Sequence, residues 1–394
     1  MTGARGVAMT SIAYINGRVL TQGRLEDDLA VIVNDDRIED VTRCKHAVRE
    51  CSNRIDLAGK YVLPGFIDTQ VNGGGGVLFN DTPDVDGIKT IGKAHWQFGT
   101  TGFLPTLISD DLDVIRQGVA AVDEAIHLGI PGVLGLHIEG PFLAHDRRGV
   151  HDARKLQQLT VDIINVLEPV KLGRTILTLA PETVSPDMIR TLADTGFVVC
   201  AGHSNASYEQ VSAAVEQGLR GFTHLFNAMS QLGAREPGMV GAALDKSNTW
   251  CGVIADNHHV SHASLRVAYR CKGPEKLMLV TDAMPPVGSG QNVFSMMGKE
   301  ITVSDGVCRD PEGILAGTAL DMASAIRNII KATGCSLAEA SSMASIAPAA
   351  FLGLRDEMGT IEAGQRADLV IADKDIKVYA TLIGGKTVFS SQAV

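Results

Sequence analysis

Four ionisable side chains stand at the ends of, or within, four separate apolar runs of this chain. Glu139 ends 132–139, His203 ends 197–203, His224 lies within 221–227, and Asp282 ends 277–282. Taken singly, each has an ordinary explanation. A lone histidine at a strand end is more often a satisfied structural group than a ligand. A lone glutamate before Gly140-Pro141 can open a turn, and a lone aspartate after a strand is often a helix N-cap. As a set they point elsewhere. One carboxylate and two imidazoles suit a borderline divalent metal such as zinc, with a position left open for water. A metal so held lowers the pKa of that water and polarises a carbonyl. Asp282 is then placed to act as the acid and base. No GxSxG elbow is present, so a nucleophilic serine is not expected. Gly73 to Gly76 lacks the Lys-Ser/Thr of a P-loop and the GxGxxG spacing, and reads as a flexible loop that lets backbone approach the site.

These residues need a scaffold that turns them toward one another. Eight apolar runs alternate with helical patterns: 61–68, 100–108, 132–139, 175–182, 197–203, 221–227, 249–256 and 277–282. The spacing predicts helices over 111–128, 186–195, 207–217, 261–272 and 318–333. The last carries Met322, Ile326, Ile329 and Ile330 on one face and Gly334 as its stop. Near-continuous apolar strands between helices imply a parallel sheet covered on both faces, and eight units fit a closed (β/α)8 barrel. In such a barrel the active site lies at the C-terminal ends of the strands. There stand Asp68 to Asn72, Glu139, His203, His224 to Asn227, Asp256 with His258 and His259 beyond it, and Asp282. Residues 12–20, 29–41 and 368–389 instead read as short strands, so a small β domain built from both chain ends is expected.

Length and composition agree. The chain has 394 residues, 45% hydrophobic and 20% charged, which excludes a disordered protein and fits one large barrel with an appendage. Net charge is −10, and no basic stripe suggests nucleic acid. The longest uncharged stretch, 283–298, holds two prolines and three glycines and would not sit in a membrane. Seven cysteines with no CxxC pair form a reduced, cytoplasmic pattern. The first residues lack an apolar signal region, and Met9 offers an alternative start.

Several stretches in this order resemble the amidohydrolase superfamily, and within it the family of N-acetylglucosamine-6-phosphate deacetylases. They are Pro64 to Gly73, His137 to Phe142, Gly149-Val150-His151, Ala201 to Ala206, Thr223 to Met229, Arg235 to Gly238 and Val280 to Met284. The resemblance implies that Glu139, His203 and His224 hold a metal, that Asp282 is the catalytic aspartate, and that His151 meets the substrate near the scissile amide. It implies that Asn227, Ala228 through its backbone, Arg235 and His259 hold the sugar phosphate and hydroxyls, some of them across a dimer interface. Most of the superfamily places a His-x-His pair at the end of strand one. Here Gln70 and Asn72 stand there, poor zinc ligands that join the substrate-binding candidates.

The resulting expectation is a (β/α)8 barrel over 63–357 and a β-sandwich domain over 10–62 and 358–394. One divalent metal is expected per chain, zinc first, with iron, manganese or cobalt as alternatives. The expected activity is deacetylation of N-acetyl-D-glucosamine 6-phosphate. The rivals are the N-acetylgalactosamine 6-phosphate reaction, another amidohydrolase reaction, and a barrel that only binds. A homodimer or dimer of dimers in the cytoplasm is expected, with no nucleic-acid or membrane partner.

Overall fold

A computed structural model describes residues 11–391, so Met9 lies outside the described residues. The eight barrel strands are Phe66–Val71, Thr100–Ile108, Gly135–Glu139, Arg174–Leu179, Phe197–Ala201, Gly221–Phe222, Trp250–Val253 and Leu277–Leu279. Each of the eight apolar runs overlaps one of them. They form a parallel sheet in chain order. The ring closes where Val71 bridges Ala283 and the Asp282 amide donates to the Gln70 carbonyl at 3.0 Å. All nine residues of Thr100–Ile108 are buried, as a strand covered by barrel interior and helices must be.

The expected helices are present, with starts set by side-chain caps. Ser185, Ser207 and Ser261 each accept a backbone amide at a helix N-terminus, and Ser207 with Gln210 completes a capping box. The last of the expected helices begins at Met322 rather than 318, because Leu315–Thr318 is a strand and Asp321 is the cap. Gly334 ends it in the left-handed region, φ 75°.

Strands from both chain ends share one eight-stranded outer sheet. Leu369–Ala372 pairs antiparallel with Tyr61–Pro64, which pairs parallel with Ile12–Thr21. Its core joins Tyr14, Val31 and Val62 to Leu369, Ile371 and Leu382. The chain passes from this sheet to the barrel at Gly65. The run 29–41 is two strands, Arg24–Asn34 and Arg37–Arg43, because Asp35-Asp36 makes a turn in which Asp35 takes φ 51°.

Two features differ from expectation. Gly73-Gly74 pairs with Val77-Leu78 as a tight hairpin, not a flexible loop. Gly75 and Gly76 take φ 62° and 85°, and their amides donate to the carbonyls of Val287 and Pro285. Those donors are used, so no anion cradle remains. Between the eighth barrel strand and the helix that starts at Met322 the chain also inserts a four-stranded antiparallel sheet, Val293–Met296, Lys299–Ser304, Val307–Arg309 and Leu315–Thr318. Its buried side chains pack on Ile108 and Met284 at the barrel mouth.

Candidate active site

Glu139, His203, His224 and Asp282 come from barrel strands three, five, six and eight, and all line one cavity of about 380 Å³ at the C-terminal mouth. Strand direction alone does not aim them. His203, His224 and Asp282 each take a left-handed backbone, with φ 49°, 35° and 52°. Such conformations cost about 1–3 kcal/mol each outside glycine and persist where surrounding contacts fix them.

The donor atoms converge. His203 Nε2 lies 3.1 Å and His224 Nε2 2.8 Å from Glu139 Oε1, and the two nitrogens are 3.0 Å apart. His203 Nδ1 faces the Arg147 carbonyl at 2.8 Å, and a carbonyl can only accept. Nδ1 therefore carries the proton, and in the neutral ring Nε2 presents a lone pair to a carboxylate and a second imidazole. A cation among these atoms resolves that opposition. Tetrahedral zinc, with bonds of about 2.0–2.2 Å, sets its donors roughly 3.3 Å apart, close to the spacing here. The residues present fit a divalent metal.

His151 is a third imidazole in the cluster. Its ligand atoms lie within 4.8 Å of those of Glu139 and His203. Its role differs because Ser109 N–H donates to His151 Nδ1 at 3.2 Å, with the Ser109 hydroxyl 2.7 Å away. Nδ1 accepts, so the proton sits on Nε2. Burial and neighbouring His203 push the His151 pKa down to about 3, so the ring stays neutral. It is a fixed N–H donor beside the group that could hold a metal.

The two carboxylates differ. Burial opposes charge on Glu139, but the two imidazoles that face it, His203 and His224, prevail and hold it well below the usual range. Burial and the Glu139 charge push Asp282 up to about 6. Gln70 Nε2 donates to Glu139 Oε2 (3.0 Å) and Asp282 Oδ1 (3.2 Å), and Asn72 Nδ2 donates to Asp282 Oδ1 (2.6 Å). Gln70 and Asn72 are buried and off the cavity wall. They steady the two carboxylates where the wider superfamily has a second metal pair.

Around this centre, Asn227, Ala228 and His259 line the cavity. His259 is held by Asp256, whose Oδ2 lies 2.6 Å from His259 Nδ1. Arg235 does not join them. It stands exposed on the loop after strand six, and Glu236 does not pair with it, accepting instead from the amides of Tyr208 and Gly238. His137 and Asp68 do not line the cavity. His137 bridges the Thr69 carbonyl and the Thr178 hydroxyl, and burial takes its pKa down to about 4. Asp68 accepts from the Thr281 hydroxyl, tying strand one to strand eight, and burial pushes it up to about 7.

Sequence reasoning missed Ser109, Arg147, the orienting role of Asp256, and the wall formed by Ile314, Leu315 and Gly317 of the inserted sheet. Asp256, three residues before His259, was the one with a visible signal.

Comparison with known proteins gives the same direction. Residues 61–388 match the amidohydrolase family. N-acetylgalactosamine-6-phosphate deacetylase of Shewanella sp. (strain ANA-3) is 42% identical over 376 residues, covering 95% of each chain. N-acetylglucosamine-6-phosphate deacetylase of Haemophilus influenzae is 34% identical over 377 residues, covering 95% of this chain and 98% of that one. The crystal structure of N-acetylglucosamine-6-phosphate deacetylase from Pasteurella multocida superposes with a TM-score of 0.93 at 32% identity, covering 97% of this chain and 100% of that one.

Proposed function

We propose that this chain, which belongs to the amidohydrolase family, hydrolyses the acetamide of an N-acetylhexosamine 6-phosphate, N-acetyl-D-glucosamine 6-phosphate first, to acetate and the amino-sugar phosphate. The observation that carries this reading is the meeting of Glu139 Oε1 with two imidazole Nε2 atoms within 3.1 Å, in a cavity that Asp282 and His151 also line.

A divalent metal, zinc for preference, is held by Glu139, His203 and His224 and supplies Lewis acidity toward water and the acetyl carbonyl. Asp282 Oδ1 already accepts two amide donors, which leaves Oδ2 to take the proton from water. His151 donates from Nε2 to the carbonyl oxygen as negative charge develops there. The new C–O bond forms, the C–N bond breaks, and Asp282 returns the proton to the departing amine. Asn227, the Ala228 backbone and His259 hold the sugar and its phosphate. Arg235, exposed on its own chain, reaches the phosphate from a neighbouring copy in a homodimer. A cytoplasmic setting fits seven cysteines with no CxxC pair.

The test is acetate release from N-acetylglucosamine 6-phosphate and N-acetylgalactosamine 6-phosphate, with and without chelator. The Shewanella relative at 42% identity favours the galacto sugar as second reading. A higher kcat/KM on that sugar selects it, and no release from either rejects both. A barrel that only binds would show no chelator-sensitive turnover.

Two further results are expected. Elemental analysis gives one tightly held metal per chain, because Gln70 and Asn72 already supply amide donors to the carboxylates; two tightly held ions would contradict that. Arg235→Ala raises KM for the 6-phosphate on the order of tenfold to a hundredfold more than for the unphosphorylated sugar, as expected for losing a charge-assisted fork of donors. Equal losses on both sugars would make Arg235 a loop residue.

A further inference from the structure

We infer that the Arg147 guanidinium is a second cation for the 6-phosphate, supplied by the same chain that holds the metal. This rests on the proposed substrate class. A phosphate dianion entering a buried mouth needs positive charge on the wall. Among the described residues, Arg147 is the one lysine or arginine that lines the cavity.

Its placement is fixed rather than incidental. Arg147 ends the short turn His145–Arg147 and is half-buried. Its Nε donates to Asn205 Oδ1, and no other hydrogen bond engages its terminal nitrogens among the described residues. Asn205 is itself pinned, its amide donating to Glu182 Oε1 while the Ser204 hydroxyl donates to Glu182 Oε2. Ser204 in turn pairs with the strand-six loop, its amide donating to the Ala228 carbonyl at 2.9 Å. The guanidinium therefore stands at the rim shared with Ala228, its outer nitrogens available as a pre-set fork. The neighbouring Asp146 carboxylate also borders the cavity, but its side chain is 85% exposed and turned to His145 at 3.5 Å. The Arg147 carbonyl holds His203, so one residue fixes a metal ligand through its backbone and meets the substrate through its side chain. A side-chain substitution separates the two.

The experiment compares wild type, Arg147→Met and Arg147→Lys. Steady-state kinetics use phosphorylated and unphosphorylated N-acetylhexosamine, calorimetry measures binding of inorganic phosphate, and elemental analysis measures metal. Arg147→Met is expected to lose about tenfold to a hundredfold more kcat/KM on the 6-phosphate than on the plain sugar, mostly in KM. Inorganic phosphate should bind correspondingly more weakly, and metal content should stay at the wild-type value. Arg147→Lys should recover part of the loss, keeping charge without the fork. Equal losses on both sugars, unchanged phosphate affinity, or loss of metal would each overturn the assignment. If wild type releases acetate from neither sugar phosphate, the proposed function falls, and phosphate binding alone then decides the role of Arg147.

Discussion

Asp282→Asn should abolish measurable turnover, or lower kcat by about 10²–10⁴-fold, while metal content and fold stay near wild type. Asparagine keeps the carboxylate's shape. Its Oδ1 can still accept from Asn72 and Gln70, the two donors that hold the native side chain. It also tolerates the left-handed backbone at this position, φ 52°, better than most residues do. What it cannot do is take a proton from water and return it to the amine. KM should change less than kcat, because the role proposed for Asp282 is on the reacting atoms. Steady-state rates with metal analysis on the same preparation check this. A variant that turns over like wild type would remove Asp282 from the acid and base role, and one that loses its metal would make Asp282 a ligand.

The same residues show what the sequence could reveal. The barrel strands were readable because a strand covered on both faces must be apolar along its length, so each run stood out between helices. The positions of Glu139, His203, His224 and Asp282 followed from where those runs end. Their aim did not. The left-handed turns at His203, His224 and Asp282 are imposed by partners far along the chain, such as Gln70, 212 residues from Asp282. No local residue type announces them. Gln70 and Asn72 were visible as substitutes for a histidine pair, yet only the fold shows them on the carboxylates rather than on the cavity wall. The inserted sheet was illegible for a different reason. Its strands are three to six residues long, separated by glycine turns and partly exposed, with Val293 49% open to solvent, so neither an apolar run nor clean alternation marks them. Arg147 lay in a stretch after strand three with no periodicity to place it.

Glu139→Gln is expected to empty the metal site. After dialysis, metal should fall from about one per chain to below roughly 0.1, and turnover should drop with it. The argument is geometric. Native Oε2 accepts from Gln70 Nε2 at 3.0 Å, while Oε1 faces the Nε2 atoms of His203 and His224. A glutamine has one oxygen and one amino group. If its oxygen stays toward Gln70, its amino group points at the two imidazole nitrogens and donates into the lone pairs a metal would use. If it flips, two amino groups face each other and a buried donor is left unpaired, which costs about 1–3 kcal/mol. Either way the site loses a negative charge and a ligand. Partners that merely support a ligand are worth 10–100-fold in metal affinity, so losing the carboxylate itself should exceed about a hundredfold. Partial return of activity in excess zinc would fit weakened affinity. The first arrangement keeps every hydrogen bond, so the metal-free variant should melt within a few degrees of metal-free wild type, which separates metal loss from unfolding. A variant that keeps a full complement of metal through dialysis would show that Glu139 is not a ligand.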